Sequence, residues 1–471
     1  MPNRTQETSG ESKPRGGNMG RMKLTALVIA LLILVAACGG GGGGTDTTAA
    51  ASGIEGGTEE TGGGGEGTSA SGGGEGEFSG VELALLIHPT LYAATGDDGG
   101  LVAEFEEMTG ATVEVVTAPI GEHLERSMAE FASGSGRFDV INMQGQDLHA
   151  DITPFLLDLG PYVAESGDWD YEDFPESLRT PATSAEGQVA GIPFRIGVTM
   201  MYYRADLLEA AGVEAPTNFE EFRTVAEALY EKDPSVTPLV QRGKAEEIVH
   251  DWLAFLHAAG GDLLNEDNSA CTVNSEAGVK AATLWADFYE AGYLPEDLFA
   301  LGRDDYIASM REGRAAIGNY FSPYWGTITE EGSEFAEDMS WALMPTEEGV
   351  DPGTAWYQAW YLTVAKDSKN PEAAWALVKH ITNKENSLRS ALDWANGPVR
   401  ASVYEDASYV EEFPLAEDWL TAVAASRALP AVPTNTQIVD TLSKELVDIV
   451  AGDKEPQQGL DDACSVIDGL L

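Results

Sequence analysis

From residue 81 onward, short apolar segments alternate with segments of helical period, and this alternation constrains the fold most strongly. Val81–Ile87, Ala111–Val116 and Phe138–Met143 are short and rich in aliphatic residues, which predicts three buried strands. Leu101–Met108 and His123–Phe131 place their large apolar side chains on one helical face. Strands and helices in this order predict an α/β lobe with a mainly parallel sheet.

A long extended segment, Ile192–Tyr203, separates this part of the chain from a mostly helical part. It has no helical period, which predicts that it carries the chain from one lobe into another. Past it, Thr217 and Glu220 form a predicted capping box at the start of a helix. Further helices are predicted over residues 252–259, 276–290, 306–312, 371–382, 439–450 and 458–470, and further strands over 315–319, 341–344 and 361–365. The chain beyond residue 80 is long enough for two lobes with a core each.

The beginning of the sequence carries the features of an export signal. Arg21 and Lys23 precede Leu24–Ala37, an uninterrupted apolar run of 14 residues. This run is shorter than the ~20 residues with which a helix crosses a bilayer. A basic flank, a short apolar run and small residues at its end predict a signal peptide over residues 1–37.

The signal ends in Val35-Ala-Ala-Cys38, which resembles the lipobox of bacterial lipoproteins. The resemblance implies that Cys38 is the lipidated first residue of the mature chain; a cysteine at the end of a membrane helix is the alternative. The residues that follow are rich in Gly, Ser, Thr and Glu and hold almost no large apolar side chain before Phe78. Because such a segment buries too little surface to offset its chain entropy, residues 38–80 are predicted to be a flexible tether.

The charge of the chain limits the classes of partner that it is expected to bind. The chain has 78 acidic and 27 basic residues, a formal net charge of −51. Nucleic acid and anionic membrane surfaces carry phosphates of the same sign, so the chain is expected to repel them. Two interpretations of the charge stay open, a solvated acidic surface and a funnel for cationic ligands.

Two cysteines remain beside Cys38, and neither has the spacing of a metal site or a CxxC motif. In an exported protein, Cys271 and Cys464 are predicted to form one disulfide that ties the last helix to the middle of the chain. Two free buried thiols are the alternative.

Known catalytic and metal motifs are absent from the sequence. There is no GxSxG, HExxH or GxxxxGK[ST] sequence, and no acidic pair can be singled out for glycoside hydrolysis. The six histidines are scattered, and His250 and His257, seven apart on one predicted helix, are interpreted as structural. The sequence therefore predicts no catalysis, no metal and no cofactor.

An ordered set of motifs resembles the extracellular solute-binding proteins of ABC importers, in the sugar-binding branch that includes maltose-binding proteins. The matching segments are Phe138–Ile141, Gly191–Phe194, Met201–Gly212, Pro216–Phe222, Gly260–Leu264, Asn274–Tyr289, Arg311–Ile317 and Ala365–Trp375. Two segments depart from the family pattern: Tyr203-Arg-Ala replaces Tyr-Asn-Lys, and Asn319–Trp325 replaces a Gly-Pro-Trp type of turn. The departures affect the expected pocket more than the fold.

The resemblance implies a two-lobed α/β periplasmic-binding-protein fold of type II, with a hinge crossed more than once and a ligand enclosed between the lobes. By this analogy, the first lobe holds residues 81–196 and 346–398, and the second holds residues 197–345 and 399–471. The expected protein is a monomer, lipid-anchored to the outer face of the cell membrane, that captures a di- or oligosaccharide. Its closed form is expected to deliver the sugar to ABC permease subunits.

Sugar binding needs planar hydrogen-bonding groups for hydroxyls and aromatic rings for C–H faces. Two aromatic clusters supply candidates, with packing beneath a loop as the alternative for each. The candidates are Tyr320, Tyr324 and Trp325 in the first cluster and Trp356 and Tyr357 in the second.

Loops after strands supply the other candidates, because ligands bind at the carboxyl ends of strands in open α/β sheets. His88 and Tyr92 follow the first strand, although His88 is equally interpreted as a surface histidine. The segment after the third strand offers Gln144, Gln146 and Asp147 for hydroxyl groups. Arg195, in the long extended segment, is predicted to bind hydroxyls or a ligand carboxylate, or to form a hinge salt bridge.

Two other functions stay open. A binder of polyamines or betaines also uses aromatic rings, through cation–π contacts, and the acidic charge favours it slightly. A surface-anchored glycoside hydrolase is the enzymatic alternative, and no positioned acid/base pair supports it.

Overall fold

The computed structural model describes residues 76–93, 95, 100–330 and 332–471. The predicted signal peptide, Cys38 and the tether up to residue 75 lie outside these residues. Within them, no helix is both long and apolar enough to cross a membrane.

Eight strands and a series of helices make up the described chain. The strands are β1 Glu82–Ile87, β2 Thr112–Thr117, β3 Val140–Gln144, β4 Ile192–Arg204, β5 Thr237–Val240, β6 Ala315–Phe321, β7 Met339–Ala342 and β8 Tyr357–Val364. The helices are α1 Pro89–Ala93, α2 Leu101–Thr109, α3 Ile120–Ser133, α4 Gly160–Glu165, α5 Glu176–Arg179, α6 Ala205–Ala211, α7 Phe219–Lys232, α8 Glu247–Ala258, α9 Glu276–Glu290, α10 Arg303–Arg311, α11 Trp325–Thr329, α12 Pro371–Thr382, α13 Lys384–Trp394, α14 Ala401–Tyr404, α15 Ala407–Glu412, α16 Ala416–Ala425, α17 Asn435–Val450 and α18 Pro456–Ile467.

Strand β4 belongs to both lobes. The strand order is β2-β1-β3-β8-β4-β6-β5, with β7 also paired to β4. The first half of β4, up to Val198, pairs antiparallel with β8, and the second half, from Thr199, pairs antiparallel with β6. Nearly every residue of β4 is buried, as expected for a continuous apolar run covered on both faces. The predicted crossing segment is therefore one strand shared by two sheets.

Two further chain segments cross beside β4 and complete the hinge. The Thr199 N–H donates to the Trp356 carbonyl at 3.0 Å, and the Tyr357 N–H donates to the Arg427 carbonyl at 3.0 Å. Because three segments cross side by side and are hydrogen-bonded to one another, the lobes are linked by a multi-crossover hinge. This confirms the two-lobed α/β fold expected from the sequence.

The buried apolar side chains form two core clusters, and these bear on the lobe boundaries. The first cluster packs around β1, β3, β8 and β4 and extends to Tyr306, Tyr320 and Met339, and the second lies among α7, α8, α9, α17 and α18. Residues 399–423, from α14 to α16, belong to the first cluster, although the sequence assigned residues 399–471 to the second lobe. The boundaries stay a prediction. We propose that residues 399–425 go with the first lobe, because the Ser402 N–H donates to Asp173 at 2.8 Å and the Ser177 hydroxyl donates to the Val423 carbonyl at 2.7 Å.

The start of α7 differs from the sequence expectation by one residue. Asn218 caps this helix, and its side-chain oxygen accepts from the Glu221 N–H at 2.9 Å. Glu221 in turn accepts from the Thr217 N–H at 2.8 Å. The predicted pairing of Thr217 with Glu220 is wrong, because Asn is the stronger N-cap residue and takes that position.

Cys271 and Cys464 form a disulfide, with their Cα atoms 5.2 Å apart. The bridge joins α18 to the segment that leads into α9 and spans 193 residues of sequence. In the chain-entropy account, closing so long a loop disfavours the unfolded state by about 5 kcal/mol. The C-terminal helix is thereby held in the second lobe.

Candidate functional site

A cavity of about 440 Å³ lies between the lobes. Its first wall comes from α3, the end of β3 and β8, and its second wall comes from α8, Leu429 and α17. The lining residues are His123, Leu124, Gln144, Gln146, Asp147, Glu246, His250, Trp360, Leu429, Asn435, Thr436, Val439 and Asp440. A cavity of about 510 Å³ beside the Gly260-Gly261 turn is lined from residues 253–275 and 428–430 and does not touch the first wall. The first of these cavities is thus the candidate ligand site.

Three residues predicted from the sequence line this cavity together. Gln144 ends β3, and Gln146 and Asp147 lie in the turn directly after it. The Gln146 side-chain amide donates to the Gln144 side-chain oxygen. The strand end therefore presents two amides and a carboxyl group to the cavity, a set that donates to and accepts from hydroxyl groups.

The position of Asp147 disfavours the ionised form of its carboxyl group. Burial raises the pKa of its carboxyl to about 6, and a hydrogen bond with the Gln144 backbone opposes the shift only in part. None of the ion pairs in the described part of the chain involves Asp147. Burial removes water from this carboxyl group. A ligand group that hydrogen-bonds to the carboxyl or neutralises it would compensate for that loss of hydration.

Trp360 provides the aromatic surface of the first wall. In the sheet it stands in register between Gln144 of β3 and Arg195 of β4. His123 contacts its ring edge to face at 6.5 Å, and His88 lies 5.7 Å from it. The sequence did not single out Trp360, because alternation along β8 decides which of its aromatic residues face the cavity.

His123 was also missed from the sequence. It is buried on α3, its Nε2 has no hydrogen-bond partner among the described residues, and burial lowers its pKa to about 4. Its ring is therefore neutral at pH 7. A neutral imidazole nitrogen at the cavity wall donates to or accepts from a ligand hydroxyl, depending on its tautomer.

His250 forms part of the second wall, and its interpretation as a structural residue stays a prediction. Burial lowers the pKa of His250 to about 3, so that it too is neutral. His257, on the same helix, is structural as predicted, since it is buried and its Nδ1 lies 3.1 Å from the Ala355 carbonyl oxygen. The seven-residue spacing leaves only the first of the two at the cavity.

The aromatic residues predicted around 356 lie behind the cavity. Trp356 is 2% exposed and stacks on His250, and Tyr357 is 1% exposed and donates its hydroxyl to the Ser177 carbonyl. Neither lines the cavity, so the alternative interpretation, packing beneath a loop, describes both. Trp356 supports His250 from behind.

The aromatic cluster after β6 is divided between core and edge. Tyr320 is 3% exposed and lies under the Arg242 guanidinium, 4.4 Å from ring centroid to Cζ. Trp325 packs on Tyr202 in the core at 5.4 Å. Tyr324 is partly exposed and contacts Tyr320 at 4.6 Å. These residues do not line the cavity.

Tyr324 is related to the remaining predicted residues only through its charge. It interacts electrostatically with Arg195, which also acts on His88. Burial, with the Arg195 charge second, lowers the pKa of His88. Tyr92 is partly buried in α1 and does not line the cavity. His88 and Arg195 thus lie beside Trp360 without lining the cavity.

Among the described residues, no group of three or more His, Cys, Asp or Glu side chains is arranged to hold a metal ion.

Comparison with known proteins assigns the chain to a family. The model of the bacterial extracellular solute-binding proteins matches residues 96–387. A probable amino-acid ABC transporter periplasmic-binding protein of Sinorhizobium fredii is 22% identical over 376 residues, 78% of this chain and 84% of that protein.

Two solved structures share the fold. The maltose-bound MalE3 of T. maritima superposes with a TM-score of 0.71 at 22% identity, over 83% of this chain and 100% of that chain. A ribitol-bound ABC transporter solute-binding protein of Agrobacterium radiobacter superposes with a TM-score of 0.71 at 24% identity, over 84% and 100%. The family match covers more than half of the sequence, and the chain therefore belongs to the bacterial extracellular solute-binding proteins of ABC transporters.

Proposed function

We propose that the solute is a carbohydrate, a di- or oligosaccharide, that binds between the lobes on Trp360. The observation that carries the proposal is the pairing of an aromatic face with a strand end rich in amide and carboxyl groups. Trp360 suits the C–H face of a sugar ring, and Gln144, Gln146 and Asp147 suit its hydroxyls. The cavity volume of about 440 Å³ falls within the ~300–1,000 Å³ of small-molecule sites.

Both lobes contribute to the site, and this links binding to closure. Gln144 and Trp360 lie on the first wall, whereas His250 and Asn435 lie on the second. A ligand held by both walls stabilises the closed arrangement, because only there are both sets of contacts made. The closed form is what we propose the ABC permease subunits bind, with the protein acting as a monomer without catalysis or cofactor.

The printed names of similar proteins support a carbohydrate or polyol. Among the similar structures, one holds maltose and another holds ribitol. The Sinorhizobium relative is described as probably specific for amino acids, so relatedness alone does not select the ligand. The choice of a carbohydrate therefore rests on the residues that line the cavity.

The N-terminal features complete the proposal. Residues 1–37 direct export, Cys38 carries the lipid anchor, and the residues up to 80 hold the folded part off the outer face of the membrane. Labelling cells with a palmitate analogue should mark the wild-type chain and leave Cys38→Ser unlabelled. Labelling of the variant would contradict the anchor.

A cationic solute is the second candidate, and one observation favours it. Asp147, Glu246 and Asp440 line the cavity, and no Lys or Arg is among its lining residues. Carboxyl groups from both lobes beside Trp360 suit an amine or a quaternary ammonium group.

A thermal-shift screen of residues 39–471 separates the two candidates. Mono-, di- and oligosaccharides, polyamines and betaines are tested at matched ionic strength. A saturable rise in Tm with one sugar class supports the proposal. A rise with polyamines or betaines and none with sugars overturns it and leaves the family assignment intact.

A further inference from the structure

We propose that the carbohydrate is acidic, a sugar acid or uronate-containing disaccharide whose carboxylate is bound by Arg195. This inference rests on the proposed carbohydrate function and adds the charge and orientation of the ligand.

Arg195 lies where the two lobes meet. It is partly buried in β4, in register with Trp360 of β8. Its guanidinium interacts electrostatically with His88 of the first lobe and with Tyr324 of the second. The register puts the Arg195 side chain on the same face of the sheet as Trp360 and Gln144, beside the residues that line the cavity, although Arg195 itself does not line it.

The guanidinium of Arg195 has no counter-ion in the protein. Among the described residues, it takes part in no hydrogen bond or ion pair, although burial is strong enough to lower its pKa. The fully buried arginines, by contrast, are each held by a carboxylate: Arg204 by Asp206 at 2.6 Å, Arg400 by Asp173 at 3.1 Å, and Arg242 by Asp251 at 2.9 Å.

An unpaired cation in this setting needs an explanation, since taking a charge from water without a partner is costly. The chain has 78 acidic residues, so acids are not scarce. Arg195 is the exception because its partner comes from outside the chain. A guanidinium binds a carboxylate through two parallel hydrogen bonds, which makes a carboxylate the matching ligand group.

The spacing fits a sugar acid. Gln144, Trp360 and Arg195 stand side by side on β3, β8 and β4. Two strand spacings of ~4.8 Å put Gln144 about 10 Å from Arg195, so a ring on Trp360 reaches both. The exposed carboxylates of Glu246 and Asp440 belong to the second wall of the cavity and disfavour a ligand carboxylate there. The ligand carboxylate is thus directed to Arg195.

Matched ligand pairs test the charge. Titration calorimetry of residues 39–471 compares glucuronate with glucose, galacturonate with galactose, gluconate with sorbitol, and digalacturonate with α-1,4-galactobiose. The inference predicts that the acidic member of at least one pair binds about 100-fold more tightly, with an affinity that falls as salt is added.

Variants at Arg195 identify the group responsible. Arg195→Met should weaken binding of the acid about 100-fold, and Arg195→Lys about 10-fold, because lysine keeps the charge without the fork. Arg223→Met, at a surface ion pair with Asp287, is the control and should change nothing. Arg195→Gln provides a second neutral variant, and circular dichroism checks that each variant folds.

The outcomes separate this inference from the function on which it rests. Equal or tighter binding of the neutral members, unchanged in Arg195→Met, overturns the acidic ligand and supports carbohydrate binding. Binding of polyamines or betaines without any carbohydrate overturns both.

Discussion

His250 stacks on Trp356 with ring centroids 4.8 Å apart and an interplanar angle of 19°. His250 lines the cavity, whereas Trp356 is 2% exposed and belongs to the core of the second lobe. The second wall of the site is therefore held from behind by a core residue. Substitution of that residue acts on the ligand through the histidine.

Replacing Trp356 tests this support. Trp356→Ala should lower the free energy of unfolding by about 3–5 kcal/mol, as for other large buried aromatics, and weaken ligand binding about 10-fold by freeing His250. Trp356→Phe keeps a ring beneath His250 and should restore most of the affinity. Chemical denaturation and titration calorimetry measure the two effects. Full affinity in the folded Trp356→Ala variant would show that His250 does not need the stack.

Asp147 should make stability depend on pH. Its pKa in the folded protein, about 6, is above the ordinary value of 3.8, so the folded state favours the protonated carboxyl. The stability gained from protonation is present at low pH and is lost as the pH rises through about 6. Asp147→Asn should therefore raise the free energy of unfolding at pH 8 by roughly 1–2 kcal/mol and change it little at about pH 3, below the ordinary pKa of 3.8.

Denaturant unfolding at the two pH values measures this difference, with the exposed Asp151→Asn as the control. A stabilisation that is the same at both pH values would rule out titration of Asp147 as its cause.

The buried pair of Arg242 and Asp251 should stabilise the second lobe next to Tyr320. Both side chains are almost fully buried, and the Arg242 N–H and Nε donate to Asp251 at 2.7 and 2.9 Å. Asp251→Asn leaves a buried guanidinium without its main counter-ion and should cost about 3–5 kcal/mol of stability. The double variant Arg242→Met with Asp251→Leu should recover much of this loss. If the double variant loses as much stability as the sum of the losses in the two single variants, the result would contradict coupling of the pair.

The disulfide should stabilise the second lobe without affecting the ligand. Cys271→Ser with Cys464→Ser, or a reductant on the wild type, should lower Tm by roughly 5–10 °C, because the unfolded chain regains its freedom. Ligand affinity should stay within about twofold, since neither cysteine lines the interlobe cavity. Scanning calorimetry and titration follow the two properties, and the reductant should leave the double variant unchanged. A loss of affinity in the double variant would contradict this separation.

Local patterns predicted much of the fold. The alternating segments from Val81 to Met143 become β1, α2, β2, α3 and β3, and Ile192–Tyr203 becomes the shared strand β4. The sequence placed a strand over 341–344, whereas β7 is Met339–Ala342. Pairing with Met201–Arg204 of β4 determines which residues form β7. This long-range pairing cannot be predicted from the local sequence pattern.

The site was predictable only in part. Gln144, Gln146 and Asp147 were found because they follow a strand end, and strand ends are identifiable from sequence. His123 and His250 were not, since nothing in the periodicity of α3 or α8 shows that these two positions face the other lobe. Only the packing of one lobe against the other brings them to one cavity.

Trp360 decides the central claim, that a carbohydrate binds between the lobes on its ring. The measurement is titration calorimetry of the sugar found by screening against the wild type, Trp360→Ala and Trp394→Ala. Trp394 is a partly exposed tryptophan that packs on Arg389 away from the cavity, and it is the matched control. The account predicts a loss of at least about 30-fold for Trp360→Ala, with Trp394→Ala unchanged. Wild-type affinity in a folded Trp360→Ala variant would contradict it.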